Sequence, residues 1–279
     1  MTGADGPSDD ADPSDGADRP AAPTGRAEPI PALRGAFGFL TRFPVPGGEL
    51  ADWDAFRRSP WTLPVVGAVL GAVAGLAFAL PVPAPTAVAA YLLALYLLGG
   101  ITHADGLADL GDALSVHDPE KRHAVLKDAE TGVGGVLALG VTLAALTLGA
   151  VGLATTAAAA GVAFRIALAA EVGAKLGMAL LVCLGGPAHE GLGSQLVGVV
   201  GPLSAVPAVV VAAPVLLAPP TGALPALATA LLAGPAVALA VLARSDRWVG
   251  GVSGDLIGAA NELGRAVALH AGVVAWALT

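Results

Sequence analysis

Residues 59–104 read SPWTLPVVGAVLGAVAGLAFALPVPAPTAVAAYLLALYLLGGITHA, 46 positions without one Asp, Glu, Lys or Arg. A helical crossing of a bilayer core needs about 20 mainly apolar residues, so this run is long enough for two. Pro81, Pro83 and Pro85 interrupt it, and prolines suit a short turn between antiparallel helices; the expected passes lie near 63–80 and 86–100. Two further runs lack these four residue types, 131–164 over 34 positions and 191–243 over 53. The longer divides at Pro219, Pro220 and Pro225 into passes near 196–217 and 224–243. A pass near 134–153, a more polar one near 157–184 carrying Arg165, Glu171 and Lys175, and a short apolar end from Ala266 complete about seven. The expected fold class is all-α, a polytopic membrane helix bundle.

Composition points the same way. Hydrophobic residues make up 55% of the 279 and charged residues 13%, against roughly 25% charged in an ordinary soluble domain, which argues against a soluble single-core enzyme. The 38 Gly and 22 Pro do not signal disorder, because disorder requires low hydrophobicity. With seven passes, the loops rich in Lys and Arg share one face: Arg34, Arg42, Arg57 and Arg58, then Lys121, Arg122 and Lys127, then Arg244, Arg247 and Arg265. The turns expected opposite carry no charge, so the positive-inside rule makes the charged face cytoplasmic. A multi-pass protein of the cell membrane with its active face in the cytoplasm is expected. Gly67, Gly71 and Gly75 form a small-residue stripe on which another helix can pack closely.

The first 28 residues hold seven acids against Arg19 and Arg26, which accounts for five of the eight net negative charges. Residues 1–30 read as a disordered acidic tail ahead of a single integral-membrane catalytic domain over 31–279; a signal peptide would need a basic start and an apolar centre. Cys183 is the sole cysteine, so one chain builds neither a disulfide nor a Cys-based zinc site. Nothing in the charge pattern suggests nucleic-acid binding.

The chemistry gathers in four glycine-and-carboxylate segments, all expected on the charged face. In Gly99-Gly100-Ile101-Thr102-His103-Ala104-Asp105-Gly106-Leu107-Ala108-Asp109-Leu110-Gly111-Asp112-Ala113-Leu114, a helix puts Asp105, Asp109 and Asp112 on one face and Leu107, Leu110 and Leu114 on the other. Three carboxylates without an intervening base repel one another, so they are solvated, protonated or bound to cations; hard oxygen ligands suit Mg²⁺ holding phosphate. His103 lies off that face and reads equally as a helix-start residue, a ligand or an acid. In Lys127-Asp128-Ala129-Glu130-Thr131-Gly132-Val133-Gly134-Gly135, glycines permit close approach to a ligand, free N–H groups favour an anion, and Lys127 adds charge toward phosphate. The third and fourth segments are Gly185-Gly186-Pro187-Ala188-His189-Glu190-Gly191-Leu192-Gly193 and the stretch from Trp248 to Glu262, in which Asp255 and Glu262 stand at i and i+7. Glu171 and Lys175 are spaced as an i, i+4 pair facing the bundle interior.

These segments, with Phe39-Leu40-Thr41-Arg42-Phe43-Pro44-Val45-Pro46, resemble the motif set of the cobalamin synthase family from about Leu33 to the C-terminus. His103 with Asp105-Gly106-Leu107-Ala108-Asp109 matches the family's His-x-Asp-Gly-Leu-Ala-Asp core, and Gly250-Gly251-Val252-Ser253-Gly254-Asp255 its C-terminal element. The resemblance implies a Mg²⁺-dependent transferase joining adenosylcobinamide-GDP to α-ribazole or its 5′-phosphate with release of GMP. It implies Asp105, Asp109, Asp112 and Asp255 as metal ligands. His103 and Asp128 would orient or deprotonate the nucleophile. Arg42, Lys127, Gly132, Lys175, Glu190, Gly191, Gly193, Gly254, Asp255 and Glu262 would bind substrate. Two positions depart from the family's pattern: Glu130 stands where Arg is common, and Ala188-His189 where Ala-Arg is common. Two phosphate-binding charges are therefore expected to be missing or moved, with Lys175 a substitute.

Other membrane phosphotransferases or prenyltransferases would show different Asp-rich spacings, absent here, and a secondary transporter would place its ionisable groups near mid-membrane on broken helices. Here most charges gather at one face. A site built from several loops on a Gly-rich bundle also suggests that assembly into a homo-oligomer could complete it.

Overall fold

The computed structural model describes residues 28–46, 49–126, 130–156, 161–188, 191 and 193–279. The elements in chain order are α1 (Pro29–Leu40), α2 (Leu50–Arg57), α3 (Thr62–Gly75), α4 (Ala84–Gly99), α5 (Thr102–Ser115), α6 (Pro119–Val125), α7 (Val133–Thr156), α8 (Val162–Leu184), α9 (Ala205–Ala212), α10 (Leu224–Val249) and α11 (Gly254–Ala277). Among the described residues there is no strand beyond one isolated bridge between Pro187 and Val252. The all-α expectation holds. Residues 1–27 of the expected tail lie outside the described residues, and its last two positions, Pro29 and Ile30, belong to α1.

The proline turns fall where the sequence placed them. α3 tightens into a 3₁₀ turn at Leu76–Ala79, and Pro83 caps α4 with Pro85 in its first turn, where proline's missing N–H costs nothing. α4 stops at Gly100, whose φ of +72° is a conformation that favours glycine, and the chain bends by 92° into α5.

Among the described residues four helices are long and apolar enough to cross a membrane: Thr62–Ala79, Val133–Thr156, Val162–Leu184 and Leu224–Val249; the bent α4–α5 pair passes the same test only when its two helices are taken together. This is fewer than seven. The expected pass near 196–217 is a shorter apolar segment, Pro202–Leu216, in which α9 is flanked by 3₁₀ turns. The expected seventh, from Ala266, is only the far half of α11, whose near half carries buried Asn261, Glu262 and Arg265.

α8 is the axis of the bundle, packed against α3, α10 and α11, and most of its residues are buried. The glycine stripe of α3 lies against it: a Cβ at Gly67 would come within 2.7 Å of the Glu171 carbonyl oxygen, and one at Gly71 within 3.0 Å of Leu168 Cα. On the opposite side Gly234 of α10 meets the backbone of Gly173. Small residues let backbones approach this closely. α7, by contrast, leaves Val136, Leu137, Val141 and Leu148 more than half exposed.

At one end of the bundle Arg165 donates to the carbonyls of Leu217 and Ala218, and Trp276 Nε1 to that of Thr156. The carboxylate segments sit at the other end.

Candidate active site

α5 crosses α11 through two glycines. A Cβ at Gly106 would lie 2.7 Å from Asp255 Cα, and one at Gly258 would lie 3.0 Å from His103 Cα. The contact therefore sets Asp255, in the first turn of α11, beside Asp105 and Asp109 of α5. Ser253 caps α11, its Oγ accepting from Leu256 N at 3.2 Å. The preceding turn, with φ of +79° at Gly250 and +141° at Gly251, is clipped to the third segment: Val252 N donates to Gly186 O at 2.8 Å and Ala188 N to Val252 O at 3.1 Å. Gly193 then packs on Gly254. Three of the four segments thus converge at one end of the bundle.

A cavity of about 190 Å³ opens there. Thr102, His103, Asp105, Asp255 and Arg57 form its polar edge, and Gly193 and Gly254 border it. His103 is buried, and burial with Lys175 and Arg265 nearby lowers its imidazole well below the usual range. Asp109 is pushed up to about 6 by partial burial and by Asp105, Asp255 and Asp112. Its neighbours are thus close enough to repel it, yet among the described residues no three His, Cys, Asp or Glu side chains are placed to hold a metal ion by themselves.

Asp112 is turned elsewhere. Its carboxylate accepts from Gly132 N at 2.7 Å and from Gly135 N at 2.9 Å, so it caps α7 and favours that helix's positive end. The Gly132 N–H, expected to meet an anionic ligand, is occupied by this cap. On the buried face of α5, Leu107 and Leu110 point inward as expected, but Ala113 takes the third inward position and Leu114 is 36% exposed. Arg42 is held at the α4–α5 corner by its own N–H, which donates to Leu98 O at 2.7 Å, and its side chain lies by Gly100. Gly191 N and O both bond Ser194 Oγ in an exposed turn. Lys127, Asp128 and Glu190 lie outside the described residues.

Two expected substrate residues belong to the core. Lys175 is fully buried, and its Nζ donates to Asn261 Oδ1 at 2.6 Å. Glu262 is buried and accepts from Arg265, from Asn261 Nδ2 at 3.0 Å and from the Tyr96 hydroxyl at 2.9 Å. Arg265, expected on the charged face, is 3% exposed and grips Glu171 with two bonds of 2.6 and 3.0 Å. Glu171 and Lys175 do face the interior, but each pairs with α11 and not with the other. Lys175 is thus engaged within the core and is not among the residues lining the cavity. Arg57 is the cation that reaches the cavity; sequence reading took it only as loop charge, because the cavity wall it joins is assembled from distant segments. Its 2.7 Å pair with Asp54 is partly exposed and is worth little.

An all-helical protein with several membrane-length apolar helices and a carboxylate-rimmed cavity at one end is the class that these features define: a helical membrane protein with a polar-edged cavity. The chain belongs to the cobalamin-5-phosphate synthase family, whose model matches residues 32–273. It is 50% identical over 254 residues to the adenosylcobinamide-GDP ribazoletransferase of Halorubrum lacusprofundi, covering 88% of this chain and 98% of that protein. It is 48% identical to the protein of that name from Haloquadratum walsbyi over 89% and 99% of the two chains, and 38% identical to that from Methanocella arvoryzae over 88% and 96%. No solved structure matches the chain.

Proposed function

We propose that the protein joins adenosylcobinamide-GDP to α-ribazole, or its 5′-phosphate, releasing GMP. The observation that carries this reading is the cavity mouth at the α5–α11 crossing, where Asp105, Asp255, His103 and Arg57 meet in a chain of this family.

The chemistry is a phosphoryl-centre displacement. A ribose hydroxyl oxygen bonds to the cobinamide-side phosphorus, the bond from that phosphorus to the bridging oxygen breaks, and GMP leaves with the electron pair. The hydroxyl proton goes to a base. His103, at the cavity edge, accepts it, with Asp128 an alternative acceptor. Arg42 and Arg57 balance phosphate charge, and Lys127, Glu190 and Gly191 complete the substrate contacts. Asp105 and Asp109 have no ion-pair partner among the described residues, and neighbouring carboxylates supply the hard oxygen donors that a divalent cation takes. Asp105, Asp109 and Asp255 would hold Mg²⁺, which when bound neutralises the diphosphate and stabilises the departing phosphate. Asp112 supports them through the α7 cap.

The same reading takes the seven helical segments between the two ends as membrane passes, with the cavity end in the cytoplasm of a cell-membrane protein, and allows copies to associate. Labelling of cysteines placed at Thr221 and Arg247 from opposite sides, and the particle mass in detergent, check these points. The reaction is tested by GMP release from purified protein in lipid, with each substrate and Mg²⁺ omitted in turn. Release that needs both substrates and Mg²⁺, and that is lost in Asp105→Ala, supports the reading; release from adenosylcobinamide-GDP alone rejects it.

A further inference from the structure

The cavity is lined by two chemically different sets of residues. Besides the polar ones, Phe39, Phe56, Leu63, Met178, Val182 and Ile257 supply apolar surface from α1, α2, α3, α8 and α11. Its aromatic part is braced: the rings of Phe39 and Phe56 lie 5.9 Å apart, Trp53 packs 5.0 and 5.7 Å from them, and Trp53 Nε1 donates to Gln195 Oε1 at 3.0 Å, tying α2 to the loop that carries Leu196. Size narrows the occupant. A cavity of about 150 Å³ lined by such side chains admits benzene, and drug-sized ligands take about 300–1,000 Å³. At about 190 Å³ this one holds little more than a ring system, and a corrinoid cannot enter.

We propose that this apolar surface is the subsite for the dimethylbenzimidazole base of α-ribazole, and that it sets which lower base is accepted. The inference rests on the transferase reading above. The base lies against the Phe39 and Phe56 rings in tilted or offset contact, its methyl groups reach toward Met178 and Val182, and the ribose is left at the polar edge beside His103 and Asp105. The corrinoid then stays outside the mouth, presenting only its diphosphate.

Two variants away from the carboxylates test this. Leu196→Trp fills the cavity from its loop, and Met178→Ala widens it. With Leu196→Trp the KM for α-ribazole rises at least about tenfold while that for adenosylcobinamide-GDP stays within about twofold. For the unmethylated benzimidazole riboside, which lacks two methyl groups, the wild-type KM is at least about tenfold above that for α-ribazole, since even one carbon in an apolar pocket discriminates by about tenfold or more, and Met178→Ala erases the difference. Calorimetry with free 5,6-dimethylbenzimidazole needs no turnover: saturable binding to the wild type, abolished in Leu196→Trp, is expected. A KM rise confined to adenosylcobinamide-GDP, no change in either KM, or no saturable binding of the free base overturns the proposal. If the wild type binds the base but releases no GMP, the transferase reading fails while the base subsite stands.

Discussion

Two groups of charges lie on α11 and the helices it crosses, and the protein treats them oppositely. In the interior, Glu171, Glu262, Arg265 and Lys175 are buried, and each is bonded to an opposite charge or to Asn261. At the bundle end, Asp105, Asp109 and Asp255 stand together as like charges, and Asp109 is pushed up to about 6. Compensation marks the first group as structural. In the second, Asp109 is repelled by its neighbouring carboxylates, a pattern that active sites favour.

The contrast is broken most severely in the core. Arg265→Met strands Glu171, and removing one partner of a buried pair costs about 3–5 kcal/mol. Lost accumulation or a sharply lower melting temperature is expected, with recovery when Glu171→Leu is added. If the single variant is as stable as wild type, the interior group is not structural.

At the mouth the order of effects reverses. Asp255→Ala should lower GMP release by about 10²–10³-fold, the loss typical of one transition-state electrostatic contact, with the melting temperature unchanged or raised because repulsion is relieved. A variant that loses activity only by unfolding would place Asp255 with the interior group.

Asp112 stands between the two groups. Asp112→Ala removes the α7 cap, for which about 1 kcal/mol is expected, and a guanidinium titration measures it. Activity should fall less than for Asp255→Ala; an equal fall would return Asp112 to the reacting carboxylates.

The smallest effect is on pH. Folding raises the Asp109 pKa from 3.8 to about 6, so its contribution favours the folded state below the lower value and is lost as pH rises through about 6. Without divalent cations the melting temperature should therefore decline slightly from pH 5 to pH 7, and Asp109→Asn should flatten the decline. Added Mg²⁺ should raise the melting temperature most above pH 6; a wild type insensitive to both pH and Mg²⁺ would contradict a shared cation.

Much of the bundle was legible in the chain because its signals are local. A run without charge has only one cheap environment, and prolines at 81–85 and 219–225 end helices wherever the chain lies. The Asp105–Asp109–Asp112 face followed from helical period alone, as did the inward placement of Glu171 and Lys175. Pairing is different. Glu262 looked like a partner of Asp255 because i and i+7 share a face, yet that face meets α5 at one end and α8 further along, and the neighbour decides the role. Helical spacing leaves Lys175 without a named partner, and its bond to Asn261 exists only across the α8–α11 contact.

By itself the sequence determined an all-helical bundle of apolar segments, the carboxylate helix after Gly100 and the family motifs, because each depends on residues within a turn or two of one another. Only the tertiary structure decided which charges are neutralised, that Asp112 caps α7, that Arg57 joins the mouth and that helices distant in the chain line one cavity. Those outcomes depend on close approach at Gly106, Gly258, Gly173 and Gly234, and the absence of a side chain allows such contacts without naming the partner.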